Sequence, residues 1–312
     1  MAESSTETPY RVLTLDGGGA KGFYTLGVLR EIEGLVGRRL HEEFDLIFGT
    51  STGAIIAAML ALGHSVDEIH ALYKEHVVTV MACKAPADKT AALKQLATDV
   101  FKEKTFEDVK TGIGIVTTKW TNDRPMVFKA SKDQAHGRQG TFKPGFGCTI
   151  ADAVQASCSA YPFFERKTVS TPLGDFELID GGFCANNPTL YALADVTGPL
   201  GKARANIRVV SVGVGEYPPK QPKKFSKMWW ATRYIESVTL LQRVMEINTQ
   251  SMDQLRAIMF KDVPTIRINE SFPQPHMATD LFEHDLTKLN ELFIRGRESY
   301  AKVEPDLKNA LL

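Results

Sequence analysis

The sequence lacks the features that a membrane span or a nucleic-acid clamp requires. Its 312 residues carry 37 Lys and Arg against 37 Asp and Glu, so the formal net charge is zero and no overall positive field attracts a polyanion. We therefore expect no DNA or RNA polymer as a partner. The longest unbroken apolar run, from Ala54 to Leu62, is far shorter than the roughly 20 residues that cross a bilayer. Contact with a membrane should be peripheral.

Cysteine and targeting signals are also scarce. The chain has 4 cysteines, with neither the paired spacing of a metal site nor the density of a small secreted scaffold, so we predict reduced thiols and no bound metal. The opening residues, MAESSTETP, contain no basic segment followed by an apolar one, which a signal peptide would require. We predict a cytoplasmic protein in which residues 1–9 form a disordered tail and residues 10–312 form a single domain.

Patterns typical of strands and helices alternate along the chain. The apolar run from Tyr10 to Asp16 precedes a glycine loop and a helix, and the run from Phe44 to Phe48 precedes a tight turn and another helix. Later patterns predict strands at residues 112–120, 126–130, 176–179 and 207–214, and helices within 65–101, from 149, and over 233–260 and 285–303. This alternation predicts an α/β fold, a three-layer α/β/α sandwich with a mostly parallel central sheet. Ligands should bind at the carboxyl ends of its strands.

The pentamer GTSTG at residues 49–53 matches the pattern G-x-S-x-G. A predicted strand precedes it and a small-residue helix follows it, and its two glycines let the chain turn sharply so that the hydroxyl of Ser51 is exposed. The helix start also offers backbone N–H groups and the positive end of its dipole to an anion beside this serine. Ser51 is therefore a candidate nucleophile, and a purely structural turn is the alternative.

A second glycine-rich turn, DGGGAKG at residues 16–22, also lies between a predicted strand and a helix. It satisfies G-x-G-x-x-G, so a Rossmann-type dinucleotide-binding protein is one interpretation. That fold normally needs an acidic residue at the end of the second strand, and Asp45 stands too early for this role. In the other interpretation, the glycines of this loop expose several backbone N–H groups, which can stabilise the oxyanion that forms when a serine attacks a carbonyl.

A serine nucleophile needs a base. None of the 7 histidines has a distinguishing sequence context. Asp180 is different, because it ends a predicted strand and enters a Gly-Gly turn, which should place it at the same edge of the sheet as Ser51. Burial could make its carboxylate more basic. The alternative is an α/β-hydrolase esterase with a Ser-Asp-His triad, in which His276 or His284 supplies the base.

The three segments together resemble the patatin-like phospholipases. That family combines a D-G-G-G-x-[R/K]-G loop, a G-x-S-x-G elbow and a D-G-[G/A] turn, and all three occur here in that order. The segments ASCSAYPFF at residues 156–164 and NNP at residues 186–188 also resemble the family. The resemblance extends over residues 10–215.

The resemblance implies a role for each matching residue. It makes Ser51 the nucleophile and Asp180 its partner in a catalytic dyad. Lys21 stands where the family usually has arginine, so it implies a contact with an anion, weaker than a two-pronged arginine contact. The amides implied for the oxyanion hole are those of Gly17, Gly18 and Gly19.

The resemblance also implies an activity and partners. The expected enzyme is a calcium-independent serine lipid acyl hydrolase of the phospholipase A type, without cofactor or metal, that cleaves acyl esters of membrane glycerophospholipids through an acyl-enzyme. Its partner would be a phospholipid membrane surface, with the enzyme peripheral on the inner membrane when active. Some compact bacterial members resemble antiphage effectors that a cyclic oligonucleotide switches on, so such an activator is expected here. A homo-oligomer is a further expectation.

A cluster of basic residues precedes two tryptophans near residue 225. Such a cluster could anchor the enzyme among lipid headgroups or receive a cyclic oligonucleotide, for which a subunit interface is the other candidate site. The alternative is a solvated loop followed by a helix that buries its tryptophans. The cluster consists of Lys220, Lys223, Lys224 and Lys227, followed by Met228, Trp229 and Trp230.

Overall fold

Eight strands form one sheet in the part of the chain that the structure, a computed structural model, describes. The described residues are 8–137, 139–220 and 229–312, with the backbone alone for 229–235. In chain order the strands are β1 (Tyr10–Leu15), β2 (Leu46–Thr50), β3 (Gly112–Lys119), β4 (Arg124–Lys129), β5 (Lys167–Thr171), β6 (Gly174–Asp180), β7 (Ile207–Val212) and β8 (Thr265–Ile268).

Helices lie between most of these strands. A π-helical segment, Tyr73–Val77, lies between two consecutive α-helices. Within the described residues the α-helices are α1 (Gly22–Val36), α2 (Leu40–Glu43), α3 (Thr52–Leu62), α4 (Val66–Leu72), α5 (Val78–Ala82), α6 (Pro86–Phe101), α7 (Ile150–Ser157), α8 (Gly182–Ala185), α9 (Thr189–Thr197), α10 (Trp229–Met259) and α11 (Leu286–Leu311).

The sheet is mixed, and helices pack on both of its faces. Its strand order is β5-β6-β3-β2-β1-β7-β8, with β4 also paired to β3. The neighbours β3, β2, β1, β7 and β8 run parallel, whereas β4 and β6 run antiparallel to β3, and β5 runs antiparallel to β6. The predicted α/β class is confirmed.

Alternate residues of the central strands supply two separate apolar cores. Leu13 of β1 and Ile47 of β2 pack in a core with residues of α1, α3, α7 and α11. Val12 and Phe48, which neighbour them in sequence, pack on the opposite face with residues of α9. These near-continuous apolar runs are what a strand covered on both faces requires.

The ends of β2 and β6 meet on one edge of β3. Thr50, the last residue of β2, pairs with Val116 of β3. Asp180, the last residue of β6, pairs with the next residue of β3, Thr117. Since β4 pairs along β3 from Gly114 to Lys119, β2 and β6 share the other edge. Strand β2 therefore reaches this point of the edge from one direction and β6 from the opposite direction, and both strands end there.

Glycine is required where the chain turns from β2 into α3. A Cβ atom on Gly49 would lie 2.3 Å from the carbonyl oxygen of Gly53, and a Cβ on Gly53 would lie 2.3 Å from the carbonyl oxygen of Leu15 in β1. Both distances are far shorter than a van der Waals contact. The two glycines of the pentamer therefore allow α3 to begin directly against the ends of β1 and β2.

Some elements differ from the sequence predictions. Strand β2 extends to Thr50 and α3 begins at Thr52, so the predicted tight turn consists of Ser51 alone. The patterns do not predict β5 or β8, because each is a short strand at an end of the sheet and buries a single side chain, Val169 and Ile268 respectively. Helix α11 also extends beyond residue 303, because Leu307 and Leu311 are buried against the core. Residues 1–7 of the predicted tail lie outside the described residues.

The close approach at the elbow predicts a large difference between two glycine substitutions. Gly49→Ala should lower the free energy of unfolding by about 1–3 kcal/mol or more, because the added methyl group overlaps the backbone. Gly34→Ala is the matched control, since Gly34 lies in α1 with no atom within 4 Å of an added Cβ. It should raise the free energy of unfolding by roughly 0.5–1 kcal/mol. Urea denaturation of both variants measures the difference, and equal effects would contradict this account of the elbow.

Candidate active site

Ser51 occupies a strained turn between β2 and α3. Its backbone angles, φ 53° and ψ −123°, lie where residues other than glycine are rarely found. The Ser51 N–H donates to Ser157 Oγ at 2.9 Å, and that hydroxyl donates to the carbonyl oxygen of Val116 at 2.6 Å. Ser157, at the end of α7, thus ties the strained turn to β3.

The Ser51 hydroxyl contacts the carboxylate of Asp180 directly. Ser51 Oγ donates to Asp180 Oδ2 at 2.7 Å, and the Gly182 N–H donates to Asp180 Oδ1 at 2.7 Å. Asp180 is 1% exposed. This burial raises the pKa of the Asp180 carboxyl to about 7, although the hydrogen bonds from Gly182 and Ser51 act to lower it. A carboxylate of that basicity can accept a proton near neutral pH.

Two of the three glycines predicted to form the oxyanion hole line the cavity of the serine, in the loop after β1. Gly18 and Gly19 line the cavity around Ser51, and neither amide has a hydrogen-bond partner among the described residues. The Gly17 N–H instead donates to the carbonyl oxygen of Asn186 at 2.9 Å. Because the only N–H of Gly17 is already bonded, the amides of Gly18 and Gly19 are the better candidates for oxyanion donors, and the role of the loop stays a prediction.

Two contacts hold this loop in place. The guanidinium of Arg267 in β8 donates to both carboxylate oxygens of Asp16, at 3.0 Å for the Nη1 contact. Asn186 Nδ2 donates to the carbonyl oxygen of Gly17 at 3.2 Å. A two-pronged arginine–carboxylate pair fixes orientation as well as distance. The amides of the loop are thus held relative to Ser51 before any ligand arrives.

The cavity that contains Ser51 is narrow and apolar. Its volume is about 40 Å³, enough for a few water molecules and too small for a fatty acyl chain. The helical region of residues 65–101 supplies five of its apolar side chains. These are Val77, Val80, Met81, Leu93 and Leu96, and the other apolar residues of the wall are Ile55, Cys158, Ala160, Phe164, Met245, Leu281 and Phe282.

Comparison with known proteins identifies the family. Residues 13–193 match the family model for patatin-like phospholipases. An *Escherichia coli* protein named cUMP-AMP-activated phospholipase is 60% identical over 316 residues, which cover 100% of this chain and 97% of that protein. This chain belongs to the patatin-like phospholipase family. As a member it is a hydrolase, and the Rossmann-type interpretation of its glycine loop is wrong.

Two further comparisons support the family and the fold. A cGAMP-activated phospholipase from *Escherichia coli* (strain TW11681) is 28% identical over 244 residues, 70% of this patatin-like chain and 66% of that protein. The crystal structure of VipD from *Legionella pneumophila* aligns with a TM-score of 0.52 at 12% identity, over 98% of this chain and 67% of that one. The similarity to VipD shows a shared fold.

The histidine alternative finds no support in the geometry of this phospholipase. No histidine is among the described residues that line the Ser51 cavity. His284 Nδ1 lies 3.0 Å from the carbonyl oxygen of Phe282, and His276 is exposed in a short helical turn. The carboxylate of Asp180 occupies the position beside Ser51 Oγ that a histidine base would take.

Lys21 does not line the serine cavity. Its side chain is 2% exposed, and its ammonium lies 3.5 Å from Glu246 Oε1 of α10. Burial lowers the pKa of Lys21, and Glu246 raises it. Any anion that Lys21 contacts therefore lies in a different cavity from Ser51.

Two residues at the site were not predicted individually. Ser157 and Asn186 both lie in segments that resemble the family, yet their hydrogen bonds to Ser51 and to the glycine loop depend on contacts between distant parts of the chain. In the basic cluster, Lys223, Lys224, Lys227 and Met228 lie outside the described residues, as do the side chains of Trp229 and Trp230.

The described part of the chain contains neither a membrane span nor a cluster of metal ligands. No helix there has both the length and the apolar character that crossing a bilayer requires. Nor do three or more His, Cys, Asp or Glu side chains of that part come together as a group that could hold a metal ion.

Burial of Asp180 predicts that removing its charge stabilises the protein. The folded state raises this pKa from an ordinary 3.8 to about 7, so the carboxyl favours folding when protonated and its contribution is lost as the pH rises from about 4 to 7. At pH 8, Asp180→Asn should therefore raise the free energy of unfolding by up to about 4 kcal/mol. The gain should shrink towards pH 4, as urea denaturation across this range can measure.

Asp195→Asn is the matched control for this prediction. Asp195 is also 1% exposed, but its carboxylate pairs with the ammonium of Lys129 at 2.5 Å. Removing one partner of a buried pair leaves the other uncompensated, so this variant should be less stable at pH 8. If Asp180→Asn lowered stability equally, the Asp180 carboxylate would not be a source of strain.

Proposed function

We propose that this patatin-like phospholipase cleaves acyl esters of membrane glycerophospholipids, as a phospholipase A does, through a dyad of Ser51 and Asp180. The observation that carries the proposal is the 2.7 Å hydrogen bond from the serine hydroxyl to the aspartate carboxylate inside an apolar cavity. Nucleophile and base thus lie within the distance that direct proton transfer requires.

The dyad performs both halves of the reaction. Ser51 Oγ attacks the ester carbonyl carbon while its proton passes to Asp180 Oδ2. The bond to the alcohol oxygen then breaks, that oxygen takes the proton from Asp180, and a lysophospholipid leaves an acyl-enzyme behind. Water attacks the acyl carbon and gives a proton to Asp180. As the fatty acid leaves, Ser51 Oγ recovers that proton.

The amides of Gly18 and Gly19 are the proposed donors to the oxyanion. Both line the cavity beside Ser51, and a well-placed donor of this kind contributes roughly 3 kcal/mol to the transition state. Gly19 adopts φ +57°, and a Cβ on it would lie 2.4 Å from the carbonyl oxygen of Leu281. A side chain at this position would displace the loop.

The proposed substrate lies in a membrane, and α10 offers an apolar surface for contact with it. Leu240, Val244 and Ile247 are 64%, 42% and 68% exposed, and their spacing places them on one side of the helix. Such a surface supports peripheral binding to a phospholipid layer, here the inner membrane of a bacterial cell. A homo-oligomer could use the same surface.

The proposed enzyme is switched on by a cyclic dinucleotide. The support comes from the relatives, one of which is named a cUMP-AMP-activated phospholipase and matches the whole chain at 60% identity. A cytoplasmic enzyme of this kind would act as an antiphage effector that degrades the membrane of its own cell. The narrow catalytic cavity is consistent with an enzyme that needs a signal before it admits substrate.

The dyad predicts which residue reacts with an acyl-directed reagent. With cUMP-AMP present, a fluorophosphonate should label Ser51, as peptide mass spectrometry can establish. Ser51→Ala and Asp180→Asn should each lower fatty-acid release from phospholipid vesicles by at least about a thousandfold. His276→Ala and His284→Ala are the controls and should keep their activity. Labelling at another residue, or an equal loss in either histidine variant, would contradict the dyad.

The pKa of Asp180 predicts the pH dependence of the reaction. The base must be ionised to accept the serine proton, and its pKa is about 7. The rate of fluorophosphonate labelling should therefore rise with pH and reach half its maximum near pH 7. Circular dichroism at each pH serves as the control for folding. A half-maximal rate near pH 4 would mean that the base is a carboxylate of ordinary pKa.

A further inference from the structure

A second and much larger cavity adjoins the glycine loop. Its volume is about 790 Å³, within the range of about 300–1,000 Å³ that small-molecule sites occupy. Neither Ser51 nor Asp180 lines it. Gly18, Met245 and Leu281 line both cavities, so the two spaces are separated by shared residues.

The larger cavity contains two cationic side chains. Lys21 lines it and is 2% exposed, with the Glu246 carboxylate 3.5 Å from its ammonium. Arg243, one turn earlier on α10, is exposed and also lines the cavity. Among the described residues, Glu246 alone lies within ion-pair distance of Lys21, and the charges of Asp280 and Glu216 act on it from farther away. The lost hydration of this ammonium is therefore only partly replaced. A phosphate oxygen would supply a second charged hydrogen-bond partner.

Buried polar atoms without partners also line this cavity. The Tyr217 hydroxyl and Asn186 Oδ1 have no hydrogen-bond partner in the described part of the chain, although the two residues are only 6% and 4% exposed. Buried polar groups are normally bonded. Both atoms have almost no accessible surface in this structure, so a ligand in the cavity contacts them only after the wall has moved. The amide of Gln254 lines the same space and carries a donor and an acceptor that can read a base edge. Asn269 also lines it, but its amide accepts from the Gly215 N–H and donates to Glu216.

We propose that this cavity is the activator site and that it binds one cyclic dinucleotide, with Lys21 and Arg243 on the phosphodiesters and Tyr217 and Gln254 on the bases. The assignment rests on the proposed activation of the enzyme by such a molecule. A lipid headgroup also carries a phosphodiester, but it has no heterocycle for the unpaired hydroxyl and the amide of Gln254 to recognise.

Helix α10 connects this site to the catalytic cavity. Glu246 faces Lys21, and the preceding residue, Met245, lines both cavities. Met245 Cε lies 3.0 Å from the position that a Cβ on Gly182 would take, two residues from Asp180. A phosphate that replaces Glu246 beside Lys21 removes a contact that holds α10 against the loop. Movement of α10 then withdraws Met245 and enlarges the space beside Ser51.

Direct binding tests the assignment without depending on catalysis. In a Ser51→Ala background, calorimetry with cUMP-AMP should show binding that Arg243→Glu weakens by about 10-fold or more, because a charged hydrogen bond is lost. Tyr217→Phe should also weaken it, by several-fold, and removes no bond within the folded protein. Lys261→Glu is the control, since it reverses an exposed charge just beyond α10 and outside the cavity lining. It should leave the affinity unchanged.

The outcomes separate this assignment from the proposed function. If Ser51→Ala protein does not bind cUMP-AMP, activation by this molecule fails, and the assignment fails with it. If it binds but Arg243→Glu and Tyr217→Phe have no effect, the activator site lies elsewhere and the proposed function stands. Glycerophosphoglycerol is the probe for a lipid headgroup, and if it binds as tightly as cUMP-AMP and competes with it, the cavity is a headgroup site instead.

Discussion

The active site depends on one constraint, the shared edge of β3. Thr50 and Asp180 pair with consecutive residues of that strand, and consecutive residues of a strand lie only about 3.3 Å apart. Because β2 and β6 approach from opposite directions, the residue after one strand and the last residue of the other must lie side by side. The pairing register of a single strand therefore sets the distance between the serine and the carboxylate.

Several local contacts hold Ser51 and Asp180 in place although both are strained. Ser51 has an unfavourable backbone conformation, and Asp180 is a carboxylate with almost no access to water. Ser157 bonds the strained turn to β3, and the amide of Gly182 bonds the carboxylate. Strain of this kind persists only where the surroundings hold it. The backbone strain at Ser51 and the burial of Asp180 both lower the stability of the fold. The strain places the Ser51 hydroxyl at the turn, and the burial raises the affinity of the Asp180 carboxylate for protons.

The sequence predicts the parts of this site that local chemistry determines. Glycine spacing indicates the elbow at Ser51, and a strand that ends in a Gly-Gly turn draws attention to Asp180. Asp180 was expected beside Ser51 because parallel strands end at the same edge of a sheet. Strand β6 is instead antiparallel to β3 and reaches the site from the other direction. No local pattern encodes that pairing, since it joins residues 117 and 180.

Contacts between distant segments explain what the sequence did not predict. The Gly17 amide has the same chemistry as its neighbours, and its bond to the Asn186 carbonyl depends on where the loop after α8 lies. The direction of the Lys21 side chain likewise depends on α10, more than 200 positions later in the sequence. Helical periodicity predicted that residues 65–101 are helical, but it could not indicate that they form part of the wall of the serine cavity.

The small size of the serine cavity affects how quickly this enzyme can respond. The proposed nucleophile and base are already hydrogen-bonded and the proposed oxyanion donors line the same cavity, which lacks only the room for an acyl chain. Opening that room requires helices and side chains to rearrange, and such motions take about microseconds to milliseconds. Neither new synthesis nor refolding has to precede the first turnover.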